Sequence, residues 1–318
     1  MKFVFLFFFS PVILFSKTLI IAHRGASGYL PEHTLESYEL GYSQGADFIE
    51  PDLVFSKDGV LVARHENNIA ETTNAHSVYP QFQKTKIIDG EEVKGIFTED
   101  LTLKQLKKLK ATQRLKQRPQ DKNDLYEIRS LEEILVWLRA KNKLTKKNVG
   151  LCIELKHPSY FKKIGFNSVD AVLKTLKNFP EVKVIFQVFE LESLKELKKR
   201  TKSELVYLVD QLQLVPGDVQ TAGGKETYGS QLSEEKLSHI RKYVDGLGLH
   251  KRVFKERADL RALLMKLKLK TYLYTFRVEK EFLEPEFIDS FEKEQKFFFS
   301  LKPDAIFTDF PDRSISLR

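Results

Sequence analysis

Residues able to do acid–base or metal chemistry collect where the apolar runs of this chain stop. His23-Arg24-Gly25 follows the run 18–22, Glu50 and Asp52 lie in 48–54, His65-Glu66 closes 60–63, and Glu154-Leu155-Lys156 closes 149–155. Residues two apart in a strand project to the same side. Glu50 and Asp52 therefore share a face, and Glu154 adds a third carboxylate from another strand. Three oxygen donors with room for water suit Ca²⁺ or Mg²⁺ better than zinc. Taken singly, Glu50 or Asp52 could equally pair with a lysine at a barrel rim; three carboxylates on otherwise apolar strands favour a metal. His23 and His65, at strand ends beside such a cluster, fit a general acid and a general base. Arg24 and Lys156 add positive charge suited to a phosphate. His33 either points at a substrate or shapes the turn that leads into a helix. No Ser–His or Cys–His nucleophile is evident. Cys152 alternates with Glu154 inside an apolar strand and reads as a small buried hydrophobe.

The elements that must hold these groups alternate. Strand-like runs occur at 18–22, 48–54, 60–63, 149–155, 182–189, 204–209, 244–249, 271–276 and 305–308. Helical patterns lie between many of them, at 34–44, 131–141, 170–178, 191–200, 233–243 and 257–269. Thr34 is the N-cap candidate of the first, with Ser37 at its N3 position. The alternation predicts parallel βα units, and continuous apolar strands such as 149–155 fit burial on both faces. A TIM (β/α)8 barrel, of the α/β class, is the leading architecture. A doubly wound sheet comes second, without a GxGxxG or Walker loop to support it.

Nine runs for eight staves leave one in excess. About seven residues separate Asp52 from Val60, too few for a helical crossover. Lys57-Asp58-Gly59 could turn a hairpin, but a tight hairpin would carry His65 away from Glu50. Chemistry at one barrel end therefore favours an extended crossover without a helix. Residues 67–148 break the rhythm and read as a small insertion subdomain after the third strand.

Composition bounds the rest. The 318 residues are 42% hydrophobic and 30% charged, which suits a globular chain and excludes global disorder. One cysteine excludes an intramolecular disulfide and CxxC metal sites. The net charge of +8 comes from scattered lysines that read as a solvated surface; no motif points to nucleic acid. Residues 1–16 place Lys2 ahead of an apolar stretch and read as a signal peptide or N-terminal anchor, with 17–318 as the folded domain. Export, most simply to a periplasm, is the expectation. No A-x-A-like pair precedes Lys17, so an uncleaved anchor stays open.

Several segments together resemble the glycerophosphodiester phosphodiesterase family. They are Ala22-His23-Arg24-Gly25, Pro31-Glu32-His33-Thr34, Glu50-Pro51-Asp52, Lys57-Asp58-Gly59 followed by Leu61-Val62-Ala63-Arg64-His65, Glu154-Leu155-Lys156, and Thr308-Asp309-Phe310-Pro311. Each is weak alone; the ordered set spans residues 20 to 312. His33 and Tyr274-Thr275-Phe276-Arg277 look closer to the periplasmic branch. Glu66 departs from the Asp that commonly follows the second histidine, and Pro51 is unusual between the metal ligands.

The resemblance implies a TIM barrel with a small insertion. It implies metal-dependent hydrolysis of glycerophosphodiesters, such as glycerophosphocholine and glycerophosphoethanolamine, to sn-glycerol 3-phosphate and an alcohol. His23 and His65 would be the acid–base pair, working through a cyclic phosphate. Glu50, Asp52 and Glu154 would hold a divalent ion, Ca²⁺ first and Mg²⁺ second; Arg24 and Lys156 would hold the phosphate. His33, Phe189, Tyr274 and Phe276 would line the pocket. The implied partner is a small-molecule substrate, with no nucleic acid, membrane contact only through an uncleaved N-terminal segment, and the oligomeric state open. A phospholipase or lyase on a related barrel, or a non-catalytic binding protein, is the rival reading.

Overall fold

A computed structural model describes residues 17–318. The signal or anchor segment 1–16 lies outside the described residues. The strands, in chain order, are β1 (Leu19–Ala22), β2 (Phe48–Ile49), β3 (Asp52–Phe55), β4 (Leu61–Ala63), β5 (Lys84–Ile88), β6 (Glu91–Gly95), β7 (Gly150–Leu155), β8 (Val184–Val188), β9 (Glu204–Val209), β10 (Gly246–His250), β11 (Lys270–Phe276) and β12 (Ala305–Thr308). Parallel pairing runs β2-β1-β12-β11-β10-β9-β8-β7, and β2 closes the ring on β7 through Phe48↔Gly150 and Ile49↔Leu151. Eight staves therefore make a TIM barrel with helices outside.

Side-chain alternation sorts the strands into two layers. Ile21, Cys152, Ile185, Val206, Leu208, Tyr272, Ala305 and Phe307 fill the barrel interior. Their neighbours, such as Ile20, Ile153, Leu205 and Ile306, face outward into the helix layer. Each fully buried aliphatic side chain contributes roughly 1.5–3 kcal/mol, so the lower barrel is a packed plug; the Tyr272 hydroxyl donates to Glu204 at its N-terminal end, and the titratable cluster collects at the C-terminal mouth. The first helix, Leu35–Ser43, starts as expected: the Thr34 side chain accepts from the Ser37 N–H at 3.1 Å.

The third apolar run is not a stave. β3 and β4 form an antiparallel hairpin in the register Leu53↔Ala63, Val54↔Val62, Phe55↔Leu61. The turn is closed by the Gly59 N–H donating to Ser56 O, with Gly59 at φ +77°, a conformation glycine adopts freely. The extended crossover expected from the chemistry is thus wrong, and the reason is geometric. The second stave does not stop at the mouth: β3 continues above it, pairing Asp52↔Glu154 and Leu53↔Leu155 with β7. The hairpin therefore begins above the barrel and descends, and the Arg64 N–H donates to Asp52 O at 2.9 Å. One residue later, His65 is back at the level of the acids. Arg64 is fully buried and donates to the backbone oxygens of Ala63, Thr72 and Glu32, which pins the returning strand.

The insertion consequently follows the second stave, not the third. It contains the β5–β6 hairpin and the short helix Leu103–Leu106. The barrel rhythm resumes before residue 148, at the helix Leu131–Thr145. Ser130 caps it reciprocally with Glu133, and Leu131, Ile134, Leu135 and Leu138 are buried.

Candidate active site

Every stave delivers its next inward-facing residue to one mouth. Ile21 is followed by His23, Phe48 by Glu50, Cys152 by Glu154, Ile185 by Gln187, and Phe307 by Asp309. A cavity of about 830 Å³ opens there, lined among others by His23, Arg24, Glu50, His65, Glu154 and Lys156. The structure thus brings both histidines, the acids and the two cations to the same end of the barrel.

His23 is 7% exposed, and its Nδ1 lies 2.5 Å from Asp309 Oδ1. A carboxylate only accepts, so Nδ1 carries the proton and Nε2 keeps a lone pair; Nε2 is 3.8 Å from Glu50 Oε2. Burial, then the Arg24 charge, lowers the His23 pKa to about 4 against the pull of Asp309. Burial, then Arg24 and Lys156, lowers that of His65 to about 3. Both shifts favour the neutral imidazole, the state in which one can take a proton; the partner that gives one must first be protonated. Burial pushes the Asp309 carboxyl up, but Arg277 and His23 outweigh it and hold it well below its ordinary range. Its Oδ2 accepts from Arg118 Nη2 at 2.6 Å and from Arg277 Nε at 2.9 Å.

Glu50, Asp52 and Glu154 are at most 5% exposed, and one ligand atom of each lies within 4.8 Å of the others. The surroundings fix them. Glu50 accepts from the Arg24 N–H at 3.0 Å and from Gln187 Nε2 at 2.5 Å; Asp52 Oδ2 accepts from His33 Nε2 at 3.0 Å. Burial and then the neighbouring carboxylates Asp52 and Glu154 push Glu50 well above its ordinary range. Burial chiefly pushes Glu154 up to about 7, against Lys156. Asp52 goes the other way: despite burial, His33 and then Arg24 hold it down. Its Oδ1 is buried without a hydrogen-bond partner. Glu154 Oε1 is likewise buried without a hydrogen bond, though Lys156 Nζ lies 3.1 Å away; three carboxylates crowded together with unsatisfied oxygens fit a divalent cation.

The model of the glycerophosphoryl diester phosphodiesterase family matches residues 23–313. The chain belongs to that family. A glycerophosphodiester phosphodiesterase of Arabidopsis thaliana is 30% identical over 93% of this chain and 84% of its own length. One from Haemophilus influenzae is 27% identical over 94% of this chain and 89% of its own. An Oleispira antarctica phosphodiesterase, solved in complex with the product sn-glycerol-3-phosphate, superposes with a TM-score of 0.62. It shares 22% identity over 94% of this chain and 96% of its own, a likeness of fold. The chain is thus an enzyme of the phosphodiesterase family, and the mouth is its candidate active site.

Two expected lining residues of this phosphodiesterase are elsewhere. His33 is fully buried behind the acids, with Nδ1 2.9 Å from Tyr38 Oη. It sits at φ 57° in the turn before the helix, which aims its ring at Asp52 rather than at the cavity. Phe276 is also fully buried and packs on Phe298. Simple alternation after Tyr272 and Tyr274 would turn it inward. An irregularity in the β11–β12 register between Leu273 and Phe276 breaks that alternation, and Arg277 takes the place at the mouth. Phe189 and Tyr274 do line the cavity, and Lys156 Nζ lies 5.5 Å from the Phe189 ring centroid.

Sequence reasoning quoted Asp309 but gave it no role. The signal was there: Phe307 faces inward, so Asp309 must too. Arg118 carried no signal, because it reaches Asp309 from the insertion across 191 positions. Replacing Asp309 with Asn leaves the shape but frees the His23 tautomer. We expect kcat to fall about ten- to hundredfold, the scale for losing a group that orients a working histidine. An Asp309→Asn enzyme with wild-type kcat would remove Asp309 from that role.

Proposed function

We propose that the protein hydrolyses glycerophosphodiesters, such as glycerophosphocholine and glycerophosphoethanolamine, to sn-glycerol 3-phosphate and an alcohol. The convergence of His23, His65 and the acidic triad on one mouth carries this reading, and a relative that holds sn-glycerol-3-phosphate supports it. Glu50, Asp52 and Glu154 would hold a divalent cation, with Ca²⁺ and then Mg²⁺ as the candidates. Such an ion, when bound, polarises the phosphate and lowers the pKa of a neighbouring hydroxyl.

The chain's own residues supply the rest. Arg24 and Lys156 have their pKa values raised, despite burial, chiefly by Glu32 and by Glu154 respectively, so both stay charged to meet the phosphate. One neutral imidazole takes the proton of the substrate's 2-hydroxyl on its Nε2 as that oxygen attacks phosphorus; the other works from the imidazolium form, which the charge of the incoming phosphate favours, and gives its Nε2 proton to the departing alcohol, so the step ends with the two protonation states exchanged. The cyclic phosphate is then opened by water with the roles exchanged. Phe189 and Tyr274 offer an apolar wall to the head group. The apolar stretch behind Lys2 supports export as the setting for this activity.

The test is release of sn-glycerol 3-phosphate by purified protein from glycerophosphocholine and glycerophosphoethanolamine, with EDTA and with Ca²⁺ or Mg²⁺ added back. Product formed with cation and lost with chelator is the expected result. No product from either substrate with either ion would overturn the reading, and an accumulating cyclic phosphate would make the protein a lyase.

A further inference from the structure

Outside the acidic triad, a short chain of hydrogen-bonded polar side chains joins the insertion to the barrel. His157 follows Lys156 at the end of β7, in the left-handed region at φ 45°, uncommon for a residue with a side chain. Its Nδ1 lies 2.6 Å from Asp89 Oδ2 and its Nε2 lies 2.7 Å from Glu66 Oε2. Both carboxylates only accept, so both ring nitrogens donate and the ring is an imidazolium. Its pKa agrees: against burial, the hydrogen bonds to Asp89 and Glu66 raise it to about 10. Asp89 is in the turn of the β5–β6 hairpin, wedged there because Gly90 abuts Gln220 and Gly217 abuts Asp89. At the other end, Glu66 Oε1 lies 3.0 Å from His65 Nδ1.

We infer that His157 and Asp89 are positioning residues for His65: the line Asp89–His157–Glu66–His65 fixes which nitrogen of His65 faces the cavity. The argument is one of constraint. Glu66 is half-exposed, and a glutamate has one more rotatable bond than an aspartate; apart from His157 its carboxylate has a looser anchor in Lys156 Nζ, 3.5 Å from Oε1, which attracts the charge without fixing the carboxylate's orientation. Clamping Oε2 with the His157 imidazolium leaves Oε1 against His65 Nδ1. That keeps the proton on Nδ1 and presents the Nε2 lone pair to the cavity. His23 is held in the same tautomer by Asp309, with Arg118 of the insertion behind it. The insertion thus steadies both histidines, one through Asp89 and the other through Arg118. The inference rests on the proposed roles of the two histidines.

Its test has two readouts. In ¹⁵N-histidine NMR of the chelated protein, wild-type His65 shows the single Nδ1–H tautomer, and His157→Ala shows a mixture. In turnover, His157→Ala lowers kcat about tenfold with KM within about twofold, and its loss does not multiply with that of His65→Ala. An unmoved His65 spectrum, or losses that multiply, would overturn the inference. Should His157→Ala fail to fold, Asp89→Asn decides alone, because Asn is at home in the left-handed conformation of that turn. It should mix the tautomers and lower kcat about threefold, and an unmoved spectrum would again overturn the inference. A wild-type protein inactive on glycerophosphodiesters would sink the functional reading, while the tautomer readout still decides the relay.

Discussion

His23→Ala is expected to lower kcat by about 10²–10⁴, the usual contribution of a positioned acid or base, while the protein stays folded. The second half of that expectation follows from what His23 leaves behind. Asp309 keeps Arg118 at 2.6 Å and Arg277 at 2.9 Å, so no buried charge is stranded. The thermal midpoint should move by about 2 °C or less, since one small side chain at the mouth is lost and no core contact. His65→Ala should act on kcat in the same range. Steady-state kinetics on glycerophosphocholine, with a melting curve as control, make the measurement. A His23→Ala enzyme within tenfold of wild type would remove His23 from the chemistry.

The acidic triad should govern stability as strongly as activity. A carboxyl whose folded pKa lies above its unfolded value holds its proton longer in the native state. Stability therefore falls as pH rises from the unfolded value through the folded one. For Glu154 the window runs from about 4.5 to about 7, a cost of about 3 kcal/mol. Glu50 extends the fall to higher pH, because burial and its neighbours push it well above its ordinary range. His23 and His65, lowered to about 4 and about 3, oppose the trend only below pH 6.5. His157, raised to about 10, also loses stability above pH 6.5, but without regard to cations. The diagnostic part is thus the cation-sensitive one. Between pH 6.5 and 8, added Ca²⁺ or Mg²⁺ should stabilise the chelated protein, by about 4 kcal/mol at a thousandfold excess over Kd. Glu50→Gln should raise the midpoint of the chelated protein at pH 8, abolish the response to cation and abolish activity. A melting curve indifferent to chelator, or a Glu50→Gln protein that still responds, would mean the triad binds nothing.

Much of this site could be read from period-two spacing. Ile21 to His23, Phe48 to Glu50, and Cys152 to Glu154 each step from the apolar plug to the mouth, and the runs that carry them all became strands. What failed was local to turns and bulges. The Lys57-Asp58-Gly59 signal for a hairpin was sound; the error was to assume that the strand ended at the mouth, when Asp52–Phe55 climbs past it. His33 was misplaced because a left-handed turn, not helix periodicity, sets its direction. Phe276 was misplaced because an irregular register reset the alternation. Arg118 and His157 act through contacts that span 191 and 68 positions, and nothing in their immediate neighbours marks them.

The hairpin that returns His65 also sets which length changes the enzyme can absorb. Strand facing flips with every single-residue slip. Losing or gaining one residue between Ser56 and Val60 would rotate His65 from the cavity toward the outer layer and swing Arg64 inward in its place. The insertion after Asn67, by contrast, can lengthen or shorten in its exposed turns, outside the buried Ile69, Phe97, Leu106 and Leu109, wherever Asp89 and Arg118 keep their reach. Indels among natural relatives should thus be sparse in the first stretch and frequent in the second, and any scheme to graft new loops onto this scaffold has its safe and forbidden cut points marked by the same ascent and descent.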